Sequence, residues 1–274
     1  MKTTIEGIEL HLAHPDQLEV TWIGQEEAMR QLIAAWMVVE ERDVPMNPRL
    51  LGKPGVGKTT MAYAAGKRLG NEVYILQATV DTRPEDLLIT PVIEGPTQLK
   101  YVASPLVTAM IRGGVAILDE GNRMSEKSWA SLAPLLDSRR YVESIIAGIK
   151  IKAHPNFRMV ATMNDDSSTF DLPEYIHSRL QPQILIDFPE REEELAILRE
   201  NVPFSPDDVL HYVIEFLQQA HAADESYTVR DGINIVRYTL KLQSETGRPS
   251  RLLLPGAVKA VLGEEAVRYG LRLK

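Results

Sequence analysis

The chain has 274 residues, enough for one large domain or two modest ones around a buried core. Its 44% hydrophobic and 25% charged residues are a globular balance, and 38 acidic against 30 basic residues leave a net charge of -8. That charge excludes a general attraction to nucleic acid or anionic lipid, and the lack of cysteine excludes disulfides and thiolate metal sites and suits a reducing compartment.

The N-terminal stretch carries Glu6, Glu9 and His11 where a signal peptide needs an apolar core. The longest apolar run, Leu32 to Val39, is far short of the ~20 residues of a membrane span. The expected location is the cytoplasm, with no membrane span. The first twenty residues read as an edge segment. From Gln25 to Glu41, the apolar positions Met29, Leu32, Ile33, Trp36 and Met37 recur at helical spacing. "PRLLGKPG" is a short strand entering a glycine loop, and Thr59 to Leu69 is a helix that Gly70 can end. "EVYILQA" is a strand, and "TRPEDLL" begins a helix with Thr82 and Glu85 at capping-box spacing.

"VIEGPTQLKYV" reads as a strand, a turn at Gly95-Pro96 and a second strand. "GGVAILDE" is too short for a helix and reads as a strand buried on both faces. Ser125 caps a helix bearing Trp129, Leu132, Leu135 and Leu136; "RRYVESIIAGIKIKA" is a second hairpin; "FRMVATMN" is another buried strand. Strands alternating with helices predict an α/β domain, a parallel sheet with helices on both faces. Beyond Pro189 the texture is helical, with starts at Ser205-Pro206 and at Thr228. The expected division is an α/β domain over residues 1–188 and a small all-α domain over 189–274. The six histidines lack paired metal spacing and read as surface or packing residues. "EREEE", Glu190 to Glu194, reads as a solvated first turn favoured by the helix dipole, and Trp22, Trp36 and Trp129 as core.

Gly52, Gly57, Lys58 and Thr59 fit the spacing G-x-x-x-x-G-K-[ST]. Glycines let successive backbone N–H groups turn inward with no Cβ in the way. A helix start leaves N–H groups unpaired and carries partial positive charge, so it favours a phosphate. Lys58 adds a full charge for the β- and γ-phosphates, and the Thr59 hydroxyl can hold Mg²⁺. A chance match in a chain this long is on the order of one in a hundred, so the motif is specific. Hydrolysis also needs a carboxylate for the metal and a group that polarises water. At the carboxyl end of "VAILDE", Asp119 would hold Mg²⁺ and Glu120 would polarise the attacking water.

At these residues the chain resembles the AAA+ ATPases. "GKPGVGKTT" is similar to their Walker A, and "VAILDE" to their Walker B. "DEGNRM" resembles the D-E-I-N-R-A of the MoxR branch, with Gly121 in place of an apolar residue. The resemblance implies that Gly52, Pro54, Gly55, Val56, Gly57, Lys58, Thr59 and Thr60 cradle ATP, with Ile23 and Gly24 of "WIGQEEAMRQL" lining the adenine pocket. "ATMN" resembles the sensor-1 strand, which makes Asn164 the residue that helps position water. "FDLPEYIHSRL…FPEREEELAIL" resembles a MoxR pattern that aligns Arg179 with the arginine finger, although Ser178 and Leu180 replace the usual Asp and Phe. "TVRDGINIVR" makes Arg230 the sensor-2 candidate, ahead of Arg248 and Arg251 of "GRPSR", after which no helix pattern follows in register. Arg139 and Arg140 are a further basic pair, either facing a neighbour's nucleotide or solvated at a helix end.

The resemblance implies a P-loop core followed by a helical lid, assembled as a ring, expected to be a hexamer. Such a ring would use Mg²⁺ and ATP to remodel or activate a protein partner. It also implies a partner with a von Willebrand factor A domain; relatives such as CbbQ and NorQ activate metalloenzymes. Two other readings stay open: a nucleic-acid-directed motor or loader, which the acidic balance disfavours, and a nucleotide-bound scaffold with little turnover, which Asp119, Glu120 and Asn164 disfavour.

Overall fold

Alternation along buried strands orders this protein, because successive side chains point to opposite sheet faces. The computed structural model describes residues 1–94, 99–165 and 172–270. Two compact units divide the chain: Met1–Val20, Glu26–Gly52 and Lys58–Ile186 form the first, and Thr21–Gln25, Lys53–Gly57 and the chain from Asp187 form the second.

The first unit begins with strands β1 (Lys2–Ile5) and β2 (Ile8–His11), then helix α1 (Glu26–Trp36), β3 (Arg49–Gly52), α2 (Lys58–Arg68) and β4 (Val73–Gln77). A four-residue helix α3 (Pro84–Leu87) leads into β5 (Ile89–Ile93), β6 (Leu99–Ala103) and α4 (Pro105–Arg112). Next come β7 (Val115–Asp119), a single 3₁₀ turn (Gly121–Arg123) and α5 (Glu126–Leu132). The hairpin β8 (Tyr141–Ser144) and β9 (Ile149–Lys152), β10 (Arg158–Asn164), α6 (Glu174–His177) and β11 (Gln183–Leu185) complete it.

Five parallel strands in the order β11-β3-β10-β7-β4 make the central sheet. On one face Ala116, Leu118, Met159, Ala161 and Met163 join a core with Leu106, Val107 and Met110 of α4 and Trp129 and Leu132 of α5. Val115 points to the opposite face, where a Cβ on Gly66 of α2 would come within 3.4 Å of it. By the same alternation Asp119, Thr162 and Asn164 lie on the α2 face. Strand ends are level there: Asn164 pairs with Gly52, and Asp119 with Gln77. A second sheet, β1-β2-β6-β5, takes up the N-terminal segment at its edge.

The second unit contains α7 (Arg191–Asn201), α8 (Asp207–His221), α9 (Val229–Thr246) and α10 (Ser250–Leu262). Leu198, Val213, Phe216, Leu217, Ile235, Val236, Leu254 and Val258 form its core. Thr228 caps α9: its N–H donates to Asp231 Oδ2 at 2.8 Å. No described helix is long and apolar enough to cross a membrane.

Several local expectations need correction. The first helix stops at Trp36 rather than continuing to Glu41, since Met37 to Val39 have no buried surface to meet and stand exposed. At "TRPEDLL" the cap lies one residue later: Arg83 N–H donates to Asp86 Oδ2 at 2.9 Å, while the Thr82 hydroxyl accepts from Thr79 N. Helix α4 was signalled by Ser104-Pro105 and Gly113 but not read: the Ser104 hydroxyl accepts from Val107 N, and Gly113 closes the helix at φ 74°. A helix does follow "GRPSR", where burial of Leu254, Ala257 and Val258 overrides Pro255 and Gly256. Tyr101 is half-buried against the core, and Leu99 is exposed. The turn at Gly95-Pro96 lies outside the described residues.

Candidate functional site

Strand β3 ends at Gly52, and α2 begins at Lys58. Lys58 is buried, and its ammonium donates to the Gly52 carbonyl at 2.9 Å, back toward the start of the loop. The first turn of α2 carries no acidic residue, so nothing on the helix offsets the positive end of its dipole. Thr59 and Thr60 are half-buried in that turn.

The Thr59 hydroxyl donates to Asp119 Oδ1 at 2.6 Å. The Thr162 hydroxyl donates to the same oxygen, and it accepts the Glu120 N–H at 3.1 Å. Glu120 has left-handed backbone, φ 54° and ψ 39°, an uncommon conformation for a residue with a Cβ. Its carboxylate is addressed from both sides: Asn164 Nδ2 stands 3.4 Å from Oε1, and Arg123 Nε is 2.5 Å from Oε2. The Arg123 contact is an ion pair whose N–H is not aligned as a hydrogen bond. The Asn122 amide donates to the Asn164 carbonyl at 2.8 Å. Gly121 departs from an apolar residue because the Trp129 ring already fills that space, 3.1 Å from where a Cβ would stand.

Arg179 follows α6 and faces other partners. Nη1 donates to the Tyr175 carbonyl at 2.5 Å, and Nε lies 3.6 Å from Asp137 Oδ2 without a hydrogen bond. Arg139 grips the same carboxylate at 2.8 Å, and together with Arg179 it holds the Asp137 pKa down at about 2. Arg179 is thus tethered to Tyr175 and Asp137, not to Asp119, Glu120 or Asn164. The basic pair splits: Arg139 binds Asp137, whereas Arg140 turns inward to the Phe157 carbonyl at 2.9 Å.

In the second unit, Gly55 and Gly57 have φ of 85° and 97°, which glycine adopts without strain. A Cβ on Gly55 would come within 2.9 Å of Thr228, and one on Gly57 within 3.0 Å of Trp22. Pro54 is exposed and Val56 buried. Trp22 is half-buried, a correction to its reading as core, because its Nε1–H must reach the Gly24 carbonyl at 2.7 Å. Gly24 has φ 80°, the left-handed region that favours glycine, and the Glu193 carboxylate lies against it, accepting the Gln25 N–H at 3.0 Å. Ile23 lines an open groove of about 560 Å³ with Glu192, Leu195, Ala196, Arg199 and Glu200. Arg230 is exposed at the start of α9, as are Arg248 and Arg251 near α10.

The acidic turn of α7 is not a solvated face throughout. Glu194 is fully buried, accepts from Gln218 Nε2 at 2.8 Å, and has its pKa pushed up to about 7 by burial. His221 lies against it, Nδ1 3.8 Å from Oε1, stacked on Phe188 at 3.9 Å with Nε2 toward the Tyr227 carbonyl at 2.6 Å. Burial lowers the His221 pKa.

The donor chemistry fits a magnesium nucleotide. Thr59 and Asp119 offer oxygen alone, as a hard cation needs, and a glycine loop ending in a buried ammonium at a helix start suits a phosphate. Lys58, Thr59, Asp119, Glu120 and Asn164 are candidates that the sequence offers; Thr162, Arg123, Asn122 and Glu193, which touch candidate residues or their neighbours, are not among them. For Thr162 the available signal was its place two residues before Asn164, on the same strand face.

Residues 49–180 match the AAA domain of the dynein-related subfamily. Uncharacterized proteins of Staphylococcus aureus strains NCTC 8325 and COL are each 24% identical over 205 residues, 73% of this chain and 78% of theirs. The Thermotoga maritima RuvB Holliday junction branch migration motor superposes with a TM-score of 0.60 at 17% identity, over 88% of this chain and 72% of its own. A candidate ATPase from Cytophaga hutchinsonii gives 0.52 at 19% identity, over 82% and 77%. The chain has the AAA+ fold, and its similarity to the AAA domain runs over residues 49–180.

Proposed function

We propose that this protein is a ring-forming ATPase of the MoxR type, which couples hydrolysis of magnesium-bound ATP to remodelling or activation of a protein partner. The observation that carries this reading is the network in which Thr59 and Thr162 hold Asp119 while Glu120 stands beside Asn164. In this reading Thr59 and Asp119 would hold Mg²⁺, and Lys58 would meet the β- and γ-phosphates. The remaining loop residues, with Ile23 and Gly24, would seat the nucleotide. Bound with its metal, ATP supplies a phosphoryl group whose charge the cation partly neutralises. Glu120 takes a proton from water, and Asn164 keeps that water in line. Arg230 would read the phosphates from α9, and Arg179 would serve a neighbour's site, where a guanidinium matches charge spread over phosphoryl oxygens. A head-to-tail ring, expected to be a hexamer, puts each site against the next subunit.

The acidic balance supports a protein partner over nucleic acid, and a von Willebrand factor A-domain adaptor is the partner the MoxR resemblance proposes. The test is steady-state ATP hydrolysis with Mg²⁺, with and without DNA, followed by identification of the protein retained by Glu120→Gln loaded with ATP. Hydrolysis that appears only with DNA would replace the protein-remodelling reading. A wild-type chain that binds ATP without turnover would leave a nucleotide-held scaffold.

A further inference from the structure

We propose that Thr162 is a positioning residue for hydrolysis, its one hydroxyl fixing Asp119 and Glu120 as a pair. The inference rests on the reading of those two residues given above. A hydroxyl has one proton to give and lone pairs to receive. Here the proton goes to Asp119 Oδ1 and the acceptor side takes the Glu120 N–H at 3.1 Å. Thr162 is 1% exposed, so water is no substitute for either bond.

Register explains the placement. β10 pairs with β7 so that Ala161 lies beside Leu118, which brings Thr162 next beside Asp119. Alternation puts Thr162 on the α2 face, together with Asn164. The Asp119 carboxylate therefore cannot shift relative to the Glu120 backbone without breaking a buried hydrogen bond. Glu120 needs such a restraint because its backbone is left-handed, a conformation that persists only when the surroundings fix it. Asn122 supplies a second restraint by donating to the Asn164 carbonyl at 2.8 Å. The turn carrying Glu120 is thus fastened to β10 on both sides, and of these two restraints Thr162 also reaches the Asp119 carboxylate, which Thr59 bonds from α2.

Thr162→Val keeps the shape and removes both bonds, whereas Thr162→Ser keeps the hydroxyl. In the full chain, Thr162→Val should lower kcat about 10²-fold, the scale on which small misplacements cost rate. Affinity for ADP without Mg²⁺, by calorimetry, should stay within about twofold, since the phosphate loop is untouched. The gain in ADP affinity on adding Mg²⁺ should shrink, because Asp119 is less well held. Thr162→Ser should restore kcat to within about threefold, and in a Glu120→Gln background Thr162→Val should cost less than about threefold, as expected for residues acting as a unit. If Thr162→Val does not fold, Thr162→Ala carries the same expectations.

A merely structural role would lower nucleotide affinity and melting temperature along with kcat, and the serine variant would not separate them. Near-normal kcat in a folded valine variant, or an equal loss in the Glu120→Gln background, overturns the inference. A wild-type chain without ATPase activity, or a Lys58→Ala chain with undiminished ATP affinity, removes the reading beneath it. An active wild type with an active Thr162→Val removes this inference alone.

Discussion

The two units present their candidate residues in opposite ways. In the first, Asp119, Glu120 and Asn164 stand at the ends of buried parallel strands: Thr162 bridges Asp119 to the Glu120 N–H, and Asn164 stands beside the Glu120 carboxylate. In the second, Arg230 is exposed on the first turn of α9, and among the described residues it makes no hydrogen bond or ion pair. The second unit's most enclosed charge-bearing group is instead Glu194, in the helical core. A strand end fixes a side chain before any ligand arrives, so its contribution needs no reordering at the moment of reaction. An exposed arginine must lose rotamer freedom first, which costs about 0.5–1.5 kcal/mol for each immobilised long side chain.

The comparison breaks first at Lys58. Lys58→Ala should abolish tight ATP binding, a loss on the order of 10²-fold or more, because it removes a buried full positive charge at the end of the loop. The chain should stay folded, and calorimetry showing unchanged ATP affinity in a folded variant would remove the phosphate-loop reading. Glu120→Gln should do the reverse. It should bind ATP while turnover falls about 10²-fold or more, since an amide does not take a proton from water. Near-normal turnover would move the base elsewhere, with Asp165, or Asp166 outside the described residues, the next to test.

Asn164→Ala against Arg230→Ala sharpens the contrast between the units. Asn164 is buried beside Glu120, so its loss should lower kcat about tenfold or more with little change in ATP affinity. Arg230 is free of protein partners among the described residues, so its loss should fall on affinity as much as on kcat. Equal loss of both parameters in Asn164→Ala would make that residue structural.

Arg179 belongs to the first unit yet is tied away from the strand ends, to Tyr175 and Asp137. If it serves a neighbour, Arg179→Ala and Lys58→Ala proteins should each be almost inactive alone. Mixed equally and allowed to exchange, they form interfaces intact on both sides at roughly a quarter of sites. Activity should return to as much as roughly a quarter of wild type by that arithmetic. No recovery, with subunit exchange shown independently, would remove the shared-site ring.

What was legible in the sequence follows the same division. Lys58, Asp119 and Asn164 stood out as candidates because the proposed phosphate and metal chemistry demands fixed residue types at fixed spacing beside a strand. Thr162 was not, since a threonine inside "FRMVATMN" looks like any β-branched strand residue until the register sets it beside Asp119. The hairpin of β8 and β9 and the parallel sheet came through because their apolar patterns are short and bounded. The helix after "GRPSR" did not, because Pro255 and Gly256 argue locally against what burial of Leu254, Ala257 and Val258 decides. Glu194 was hidden by its neighbours: four acidic residues at a helix start read as solvated, yet the periodicity of α7 turns the last of them inward.

That buried carboxyl gives the smallest effect. Burial raises the Glu194 pKa from 4.5 to about 7, and the Gln218 bond offsets only part of the rise. A group whose pKa is raised on folding contributes stability that is complete below its unfolded pKa and lost as pH climbs through the folded one. Glu194 should therefore favour the folded state fully below pH 4.5, and progressively less as pH approaches 7 and beyond. The whole span is worth about 3 kcal/mol at most. His221 works in the opposite sense: its pKa is lowered by burial and by Lys53, so its contribution is present above its unfolded value and lost on acidification. Glu194→Gln isolates the first term, since an amide keeps an acceptor for Gln218 and does not ionise. Measured by denaturant unfolding, the variant should gain on wild type between pH 5 and pH 8, by about 1–3 kcal/mol. A stability difference that stays flat over that range would mean Glu194 remains ionised in the fold, with His221 or water meeting the charge.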